Sequence, residues 1–390
     1  MVAASRAGPI PVTSRTVTPS RADVNSCLLP ACQDSCRVLI QSVTASHSSS
    51  DALYRIILMD GFRHWFPYPP MAGMPELRQA IVDKVAALYG TRFDVESEVT
   101  VTAGATQAIL TAIAAFVRPG DEVIVFAPVY DSYVPAIETV GGKALFAQLK
   151  FPDYAPDWAQ VAQLITPRTR MIIVNSPHNP TGSLLTAVDL EKLAESVRGS
   201  DIVVLSDEVY EHILFDGERH ASLCGHPELA PRGIVVSSFG KTYHITGWKI
   251  GYVVGPAALM AEFRKVHQFN VFTVHGPSQL ALADYMQDAS RHLKLAAFYE
   301  EKRDFFRALL AETPFELLPC RGTYFQLASY KAISDLPDRA FAEWLTREVG
   351  VAVIPVSVFY GDGRDDCVVR FCFAKKEETL VAAGERLRRL

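Results

Sequence analysis

Lys241 follows an apolar segment and a small, glycine-containing turn, Ser238-Phe239-Gly240. A lysine just beyond a strand can point into the cleft at the strand's end, where ligands of open α/β sheets bind. Lysine amines form Schiff bases with carbonyl compounds when burial or neighbouring cations make them reactive. A solvated lysine on a loop explains the same segment, so Lys241 is a candidate nucleophile that needs support from other residues.

A second candidate is Asp207, which comes directly after the apolar segment 202–206. An acidic residue at the carboxyl end of a strand can pair with the protonated ring nitrogen of pyridoxal-5′-phosphate (PLP), which makes the ring an electron sink. Tyr210, three residues further on, is placed to donate to the phenolate oxygen of the same ring. The alternative for Asp207 is a helix N-cap, for which aspartate is a favoured residue.

The third segment, Asn179-Pro180-Thr181-Gly182, follows another apolar run at 170–175. Its composition is typical of a tight turn. Such a turn can aim the Asn179 amide at a cofactor oxygen and at a substrate carboxylate, so the structural and the functional interpretations are compatible.

Small residues mark a fourth segment, in which Gly104, Ala105 and Thr106 open a predicted helix after a strand. Small side chains let the backbone N–H groups of a helix N-terminus approach a phosphate. The signal is weak alone, because many strand-to-helix turns have this composition.

Arg370 stands in a strongly apolar segment, 368–373. An arginine buried there needs a partner, and a substrate carboxylate could accept two hydrogen bonds from its guanidinium group. The alternative is an arginine on an edge strand that faces water.

The elements that must position these residues follow an α/β pattern from residue 76 onward. Apolar segments rich in valine and isoleucine predict seven strands with helices between most of them, which favours a mostly parallel sheet covered on both faces. The predicted strands are 99–102, 122–126, 143–147, 170–175, 202–206, 233–237 and 250–254. Helical segments follow residue 255, among them a long one at 291–311. The last third mixes predicted strands (324–328, 351–354, 367–373) with two helices, 339–348 and 377–388, which predicts a smaller α+β domain.

Composition excludes several classes of function. The chain has 390 residues, of which 49% are hydrophobic and 21% charged, with a net charge of −5. This predicts more than one folding unit, no basic face for nucleic acid and a cytoplasmic protein. No apolar run is long enough for a membrane span. Cys27, Cys32 and Cys36 lack the spacing of a zinc site, so we predict no metal.

Together these segments resemble the class I/II aminotransferases, PLP enzymes of fold type I, and within them the branch of bacterial methionine aminotransferase and kynurenine–oxoglutarate aminotransferase. The resemblance runs from Tyr68 to Leu390, with its motifs in the family's order. The motifs are Tyr-Pro-Pro-Met-Ala-Gly, Thr-Ala-Gly-Ala-Thr, Pro-Val-Tyr-Asp-Ser-Tyr, Asn-Ser-Pro-His-Asn-Pro-Thr-Gly, Ser-Asp-Glu-Val-Tyr-Glu-His, Ser-Ser-Phe-Gly-Lys-Thr-Tyr, Thr-Gly-Trp-Lys-Ile-Gly-Tyr and Val-Arg-Phe-Cys-Phe-Ala-Lys.

The resemblance implies a role for each candidate around the cofactor ring. Lys241 is expected to bind PLP as a Schiff base and then to move the proton of the substrate α-carbon. Asp207 is expected to hold the pyridinium nitrogen, Tyr210 and Asn179 to bind the phenolate oxygen, and Tyr130 to stack on the ring.

The resemblance also implies the phosphate and substrate contacts. It assigns the phosphate to Gly104, Ala105, Thr106, Ser238 and Lys249. Tyr68 is expected to reach the phosphate of the neighbouring subunit, which implies a homodimer with shared active sites. Arg370, with Asn179, is expected to clamp the α-carboxylate. Phe272 is expected to line the neighbour's substrate pocket, and a core aromatic is the alternative.

The N-terminal segment departs from the family. Residues 10–15 resemble the start of the family's N-terminal arm, and the likeness then stops until Tyr68, over about the arm's length. A compensated frameshift and a divergent, functional arm both explain this. We therefore divide the chain into an atypical arm (1–67), a large PLP-binding domain (68–275) and a small C-terminal domain (276–390).

The implied function is transfer of the amino group of an L-amino acid, with a methionine-like, aromatic or kynurenine-like side chain, to a 2-oxo acid. Two alternatives use the same residues. One is a PLP-dependent β-lyase that acts on cysteine conjugates. The other is a PLP-binding but poorly active protein, because an altered arm would weaken closure of the site.

Overall fold

The computed structural model of the chain describes residues 68–390. The predicted arm, residues 1–67, lies outside the described residues, as do Cys27, Cys32 and Cys36. Within the described part, no group of three or more His, Cys, Asp or Glu side chains is arranged to hold a metal ion. None of the helices in that part is long and apolar enough to cross a membrane.

A seven-stranded sheet forms the centre of the larger part of the structure. Its spatial order is β1-β7-β6-β5-β4-β2-β3. Strand β7 runs antiparallel to both of its neighbours, and the other pairs are parallel. The strands are β1 (Val99–Thr102), β2 (Glu122–Ala127), β3 (Lys143–Gln148), β4 (Thr169–Asn175), β5 (Val203–Asp207), β6 (Gly233–Ser238) and β7 (Gly251–Val254). All seven predicted strands, and the mostly parallel sheet, are confirmed.

Helices connect most of these strands. Helix α1 begins at Pro75, whose fixed backbone suits a first helical turn, and ends before Gly90, which adopts a left-handed φ of 75° as its C-cap. The helices of this part are α1 (Pro75–Tyr89), α2 (Gly104–Phe116), α3 (Tyr133–Thr139), α4 (Trp158–Leu164), α5 (Ala187–Val197), α6 (Phe239–Thr242), α7 (Ala257–Asn270) and α8 (Gly276–Tyr285). Every residue of the central strands β4, β5 and β6 is buried, apart from Arg170 and Ser238, as expected of a covered parallel sheet.

A four-stranded antiparallel sheet lies in the last third of the chain, in the order β10-β11-β9-β8. Its strands are β8 (Glu316–Leu317), β9 (Phe325–Ser329), β10 (Ile354–Pro355) and β11 (Val368–Cys372). The helices here are α9 (Ser290–Leu293), α10 (Leu295–Ala311), α11 (Asp338–Trp344) and α12 (Glu377–Leu387). Two hydrophobic clusters accompany the two sheets.

Two predictions in this part are wrong. The strand predicted at 351–354 is reduced to Ile354–Pro355, because the Val351 N–H donates to the Leu345 carbonyl (3.2 Å) and so closes a helical turn. The single helix predicted at 291–311 is two helices, α9 and α10, that meet at Lys294.

Candidate active site

The candidate active site is a cavity of about 240 Å³ at the carboxyl ends of the parallel strands. Strands β4 and β5 pair so that Asn175 lies opposite Asp207, and strand β6 ends beside them at Ser238. The cavity is lined by Gly104, Ala105, Thr106, Ile109, Tyr130, Asn175, Asn179, Asp207, Val209, Tyr210, Ser238, Gly240, Lys241, Thr246, Lys249 and Phe325. Every predicted cofactor residue except Tyr68 is among them.

Lys241 enters the cavity from the short helix α6, which follows β6 directly. Its Nζ donates a hydrogen bond of 2.8 Å to the Tyr324 hydroxyl. The same Nζ lies 5.7 Å from the ring centroid of Tyr210 and 5.5 Å from that of Tyr324. This lysine is therefore not a freely solvated loop residue, and its amine points at the centre of the site.

Asp207 is the last residue of β5 and is buried in the floor of the cavity. The Tyr133 hydroxyl donates to its Oδ2 at 2.6 Å. Burial raises the pKa of Asp207 to about 6, although the hydrogen bond from Tyr133 opposes the rise. No helix begins at this position, so the N-cap alternative is wrong. A buried carboxylate without a charged partner costs free energy, so a cationic group of a ligand would stabilise it.

Two asparagines connect the strand ends to the turn. The Asn175 side chain donates to the Asp207 carbonyl (2.9 Å) and accepts from the Asn179 N–H (2.8 Å). Asn179 Oδ1 in turn accepts a hydrogen bond from Arg370 Nη1. The turn therefore aims the Asn179 amide into the cavity and ties it to the guanidinium group.

Arg370 lies on β11, between β10 and β9, so the edge-strand alternative is wrong. Its guanidinium carbon lies 4.0 Å from the ring centroid of Phe325 and 5.0 Å from that of Phe359. Its buried Nε has no hydrogen-bond partner within the described part of the chain, and burial lowers the pKa of Arg370. A buried donor without a partner costs free energy, and an anionic group of a ligand would satisfy it.

The N-terminus of α2 offers an anion site at the other end of the cavity. Ala103, its N-cap residue, provides no side-chain hydrogen bond to the helix, and free N–H groups with the helix dipole attract anions. Gly251 lets β7 lie against this turn, since a Cβ there would be 2.6 Å from the Ser237 carbonyl oxygen and 3.2 Å from the Ala105 nitrogen. Lys249, in a left-handed conformation, adds a positive charge to the lining.

Tyr68 and Phe272 lie outside the cavity lining. Their rings meet edge to face with centroids 5.8 Å apart. They are 84% and 40% exposed, so the core-aromatic alternative for Phe272 is wrong.

Sequence reasoning missed Tyr324 and Tyr133. Both touch a central group of the site, but neither stands at a strand end of the large sheet. The only feature of the sequence near Tyr324 that indicated a close contact was Gly322. A Cβ at that position would lie 2.8 Å from Pro177 Cβ and 2.9 Å from the Ile213 carbonyl oxygen. Tyr133 carried no signal beyond its tyrosine-rich segment.

The Lys241 amine, a buried carboxylate in the same cavity and an anion site suit a small phosphorylated aromatic carbonyl compound. Arg370 adds a place for a carboxylate. These four features lie on separate elements that the fold brings together, and they were predicted from the sequence as one cofactor and substrate site.

Comparisons with known proteins agree with this chemistry. The family model for aminotransferase class I and II matches residues 43–387. The chain is 52% identical to the methionine aminotransferase of Escherichia coli (strain K12) over 324 residues, which is 83% of this chain and 84% of that protein. It is 34% identical to kynurenine–oxoglutarate transaminase 1 of Rattus norvegicus over 356 residues, 83% of this chain and 84% of the relative.

Solved structures give the same result. A crystal structure of an Escherichia coli methionine aminotransferase superimposes with a TM-score of 0.85 at 49% sequence identity. The match covers 87% of this chain and 89% of that one.

Proposed function

Because this chain belongs to the class I and II aminotransferases, which depend on PLP, we propose that its preferred amino donors are L-amino acids with sulfur-containing, aromatic or kynurenine-like side chains. The amino group passes to a 2-oxo acid. The observation that carries this proposal is that Lys241, whose Nζ donates to Tyr324, lines the same cavity as Asp207. Arg370 borders this cavity through its hydrogen bond to Asn179. The relatives named above are transaminases, and they give no support to the β-lyase alternative.

PLP supplies a carbonyl group and an aromatic ring that accepts electrons from the substrate α-carbon. The residues present fit this group, since Asp207 is a buried carboxylate whose described neighbours include no directly bonded cation. Lys241 would bind the carbonyl carbon through its amine, with loss of water, and the free amine would take the proton from the substrate α-carbon.

The other residues around the ring orient it and exclude water. Asp207 would keep the ring nitrogen protonated. Tyr210 and Asn179 would bind the ring oxygen, and Tyr130 would pack on the ring. The support for these roles is that all four side chains line the same cavity.

The N-terminus of α2 would hold the phosphate. Gly104, Ala105 and Thr106 offer N–H groups there, and Ser238 and Lys249 line the same cavity. These donors and the positive charge of Lys249 would hold the phosphate in place.

Arg370 binds the α-carboxylate of the substrate together with Asn179. The aromatic rings of Phe325 and Phe359 enclose the guanidinium group and leave an apolar surface for the side chain. This apolar surface favours donors with apolar side chains over dicarboxylic ones.

The protein is further proposed to act as a cytoplasmic homodimer. The support for a dimer is the exposed aromatic pair of Tyr68 and Phe272, placed by the family resemblance at the neighbouring subunit's site. The support for the location is the mildly acidic, mixed charge of the chain, −5 in total.

A panel of donors tests the proposal. L-Methionine, L-phenylalanine and L-kynurenine, each with the same 2-oxo acid, are expected to give higher kcat/KM values than L-aspartate and L-glutamate. A preference for the dicarboxylic donors would overturn the proposed donor class. Release of pyruvate and ammonia from a cysteine conjugate, in place of a 2-oxo acid with the donor's carbon chain, would favour the lyase instead.

A further inference from the structure

We infer that Tyr324 is a positioning residue for Lys241: its hydroxyl anchors the lysine amine whenever that amine is free. The inference rests on the proposed role of Lys241. In the first half-reaction the amino group of the amino acid would displace Lys241 from the cofactor, and the released amine must stay close to the substrate α-carbon. A hydrogen-bond acceptor beside the amine supplies that restraint.

The contact itself is short and specific. Lys241 Nζ donates to the Tyr324 hydroxyl at 2.8 Å, which is an ordinary hydrogen-bond distance. The Tyr210 hydroxyl is 3.5 Å from the same oxygen. Tyr324 therefore stands between the lysine and one of the predicted cofactor ligands, at the border between the large sheet and the small one.

The fold fixes the Tyr324 ring on several sides. Its centroid lies 5.3 Å from that of Tyr210, 5.7 Å from that of Tyr299 and 4.7 Å from that of Phe325. Contacts of this geometry leave an aromatic ring few alternative rotamers. The hydroxyl is thus held in place before the lysine amine arrives.

The backbone around Tyr324 is fixed as well. Thr323 adopts a left-handed φ of 66°, and its N–H donates to the Ile213 carbonyl at 3.0 Å. The Phe373 N–H donates to the Tyr324 carbonyl at 3.1 Å. The conformation of Thr323 costs free energy for a residue other than glycine, so these two tertiary hydrogen bonds hold the backbone next to Tyr324 against a local preference for other conformations.

The hydrogen bond distinguishes the free lysine from the bound one. A primary amine has two or three N–H groups, whereas a nitrogen double-bonded to carbon has at most one. The Tyr324 hydroxyl therefore stabilises the released amine more than the cofactor-bound one. It shifts the exchange between lysine and substrate toward bound substrate, and it keeps the amine within reach of the α-carbon.

Two ligands separate this role from a general effect on the cavity. α-Methyl-L-methionine has an amino group that can displace Lys241 but no α-hydrogen, so the reaction stops after binding. 4-(Methylthio)butanoate has the same chain and carboxylate but no amino group, so Lys241 stays bound. Dissociation constants of both are measured from the visible spectrum of the PLP-loaded protein, without turnover.

In Tyr324→Phe we expect the dissociation constant of α-methyl-L-methionine to rise about tenfold, the effect of one lost hydrogen bond. That of 4-(methylthio)butanoate should stay within about twofold of the wild-type value. Tyr299→Phe is the matched control: it removes the neighbouring phenol oxygen, which faces His244 at 3.4 Å and makes no hydrogen bond to Lys241. It should change neither constant.

Equal weakening of both ligands in Tyr324→Phe, or no change in either, would overturn the inference, because Tyr324 would then shape the cavity or do nothing. The substitution removes one oxygen atom, and binding of the carboxylate ligand reports an intact site. If the spectrum of the wild-type protein does not respond to α-methyl-L-methionine, the proposed function itself is wrong. This outcome is distinct from a loss of binding that is confined to the Tyr324→Phe variant.

Discussion

Tyr133 and Asp207 are joined by a hydrogen bond of 2.6 Å, from the phenol hydroxyl to Oδ2, although they are 74 residues apart in the chain. Tyr133 is the first residue of helix α3, and Asp207 is the last residue of strand β5. Burial raises the pKa of Asp207 to about 6, and the hydrogen bond from Tyr133 works against that rise. The pair therefore sets the pH at which the carboxylate is available to the cofactor ring.

The first prediction concerns the pH dependence of cofactor binding. A pyridinium nitrogen requires the ionised carboxylate, and the cofactor-free protein takes up a proton on Asp207 as the pH falls through about 6. Below that pH, binding must release this proton, so PLP affinity should fall up to tenfold per pH unit. Asp207→Asn should bind PLP roughly 10- to 100-fold more weakly at pH 8. The ratio of the two dissociation constants, in which the ionisations of the free cofactor cancel, should shrink below pH 6.

Tyr133→Phe provides the matched variant for this titration. Loss of the hydrogen bond removes an interaction that lowers the pKa of Asp207, so the midpoint of the pH dependence should move to higher pH. A midpoint that is unchanged, or one that moves to lower pH, would show that Tyr133 does not tune this carboxylate.

The second prediction concerns Arg370. Arg370→Gln should lower kcat/KM for L-methionine about 100-fold, because the substrate carboxylate loses a charged, bidentate partner. PLP affinity should change little, since Arg370 is not part of the cavity lining. Arg198→Gln is the control, because Arg198 forms an exposed ion pair with Glu228. Equal loss of PLP affinity and of kcat/KM would place Arg370 at the cofactor instead.

The third prediction concerns the packing of strand β7 against the anion site. Gly251→Ala brings a methyl group to 2.6 Å from the Ser237 oxygen and 3.2 Å from the Ala105 nitrogen, so the turn must move. Overpacking of this kind costs about 1–3 kcal/mol of folding free energy, and PLP affinity should fall with it. Gly247→Ala, where nothing lies within 4 Å of the added Cβ, should change neither. Denaturant unfolding and PLP titration measure the two effects. If Gly251→Ala keeps the stability and the PLP affinity of the wild type, strand β7 does not pack this closely against the turn.

The fourth prediction concerns the buried ion pair of Lys84 and Glu211, whose side chains are 5% and 2% exposed. Burial raises the pKa of Glu211, but the attraction of Lys84 and hydrogen bonds outweigh burial and hold it well below its usual value. Lys84→Met leaves this carboxylate unpaired, so the free energy of unfolding at pH 7 should fall by about 3–5 kcal/mol.

The sign of the pH effect checks the same pair. A depressed carboxyl pKa contributes stability above the unfolded value of 4.5 and loses it as the pH falls toward the folded value. The difference between wild type and Lys84→Met should therefore shrink below about pH 4.5. Lys192→Met, which breaks an exposed pair with Glu195, should have little effect at either pH. A difference that grows on acidification would contradict this account.

Residues at the ends of sheet strands could be found from the sequence. Valine- and isoleucine-rich segments predicted strands β5 and β6. Asp207 at the end of β5 and Lys241 in the turn beyond β6 therefore had to share one edge of a parallel sheet. The four-stranded sheet was harder, because Val351 looks like a strand residue but its N–H closes a helical turn. Local pattern does not reveal where a backbone hydrogen bond goes.

Contacts between distant elements could not be found in this way. Tyr324 lies 83 residues from Lys241, directly before strand β9 of the other sheet, and no spacing rule connects them. Tyr133 is similarly remote from Asp207. Both phenols reach the site only through the packing of separate elements, and this information is not contained in any single segment of sequence.

The most direct test of the central claim, that Lys241 carries PLP in a working transaminase, is a single half-reaction. The PLP-loaded protein is mixed with L-methionine in the absence of any oxo acid. We expect that the yellow absorbance is lost, that a near-ultraviolet band replaces it, and that one oxo acid is released per subunit. Lys241→Ala should do none of this, whereas Lys265→Ala, which alters an exposed lysine paired with Glu262, should behave as wild type. A yellow band that is inert to L-methionine, or a Lys241→Ala variant that reacts like wild type, would contradict the account.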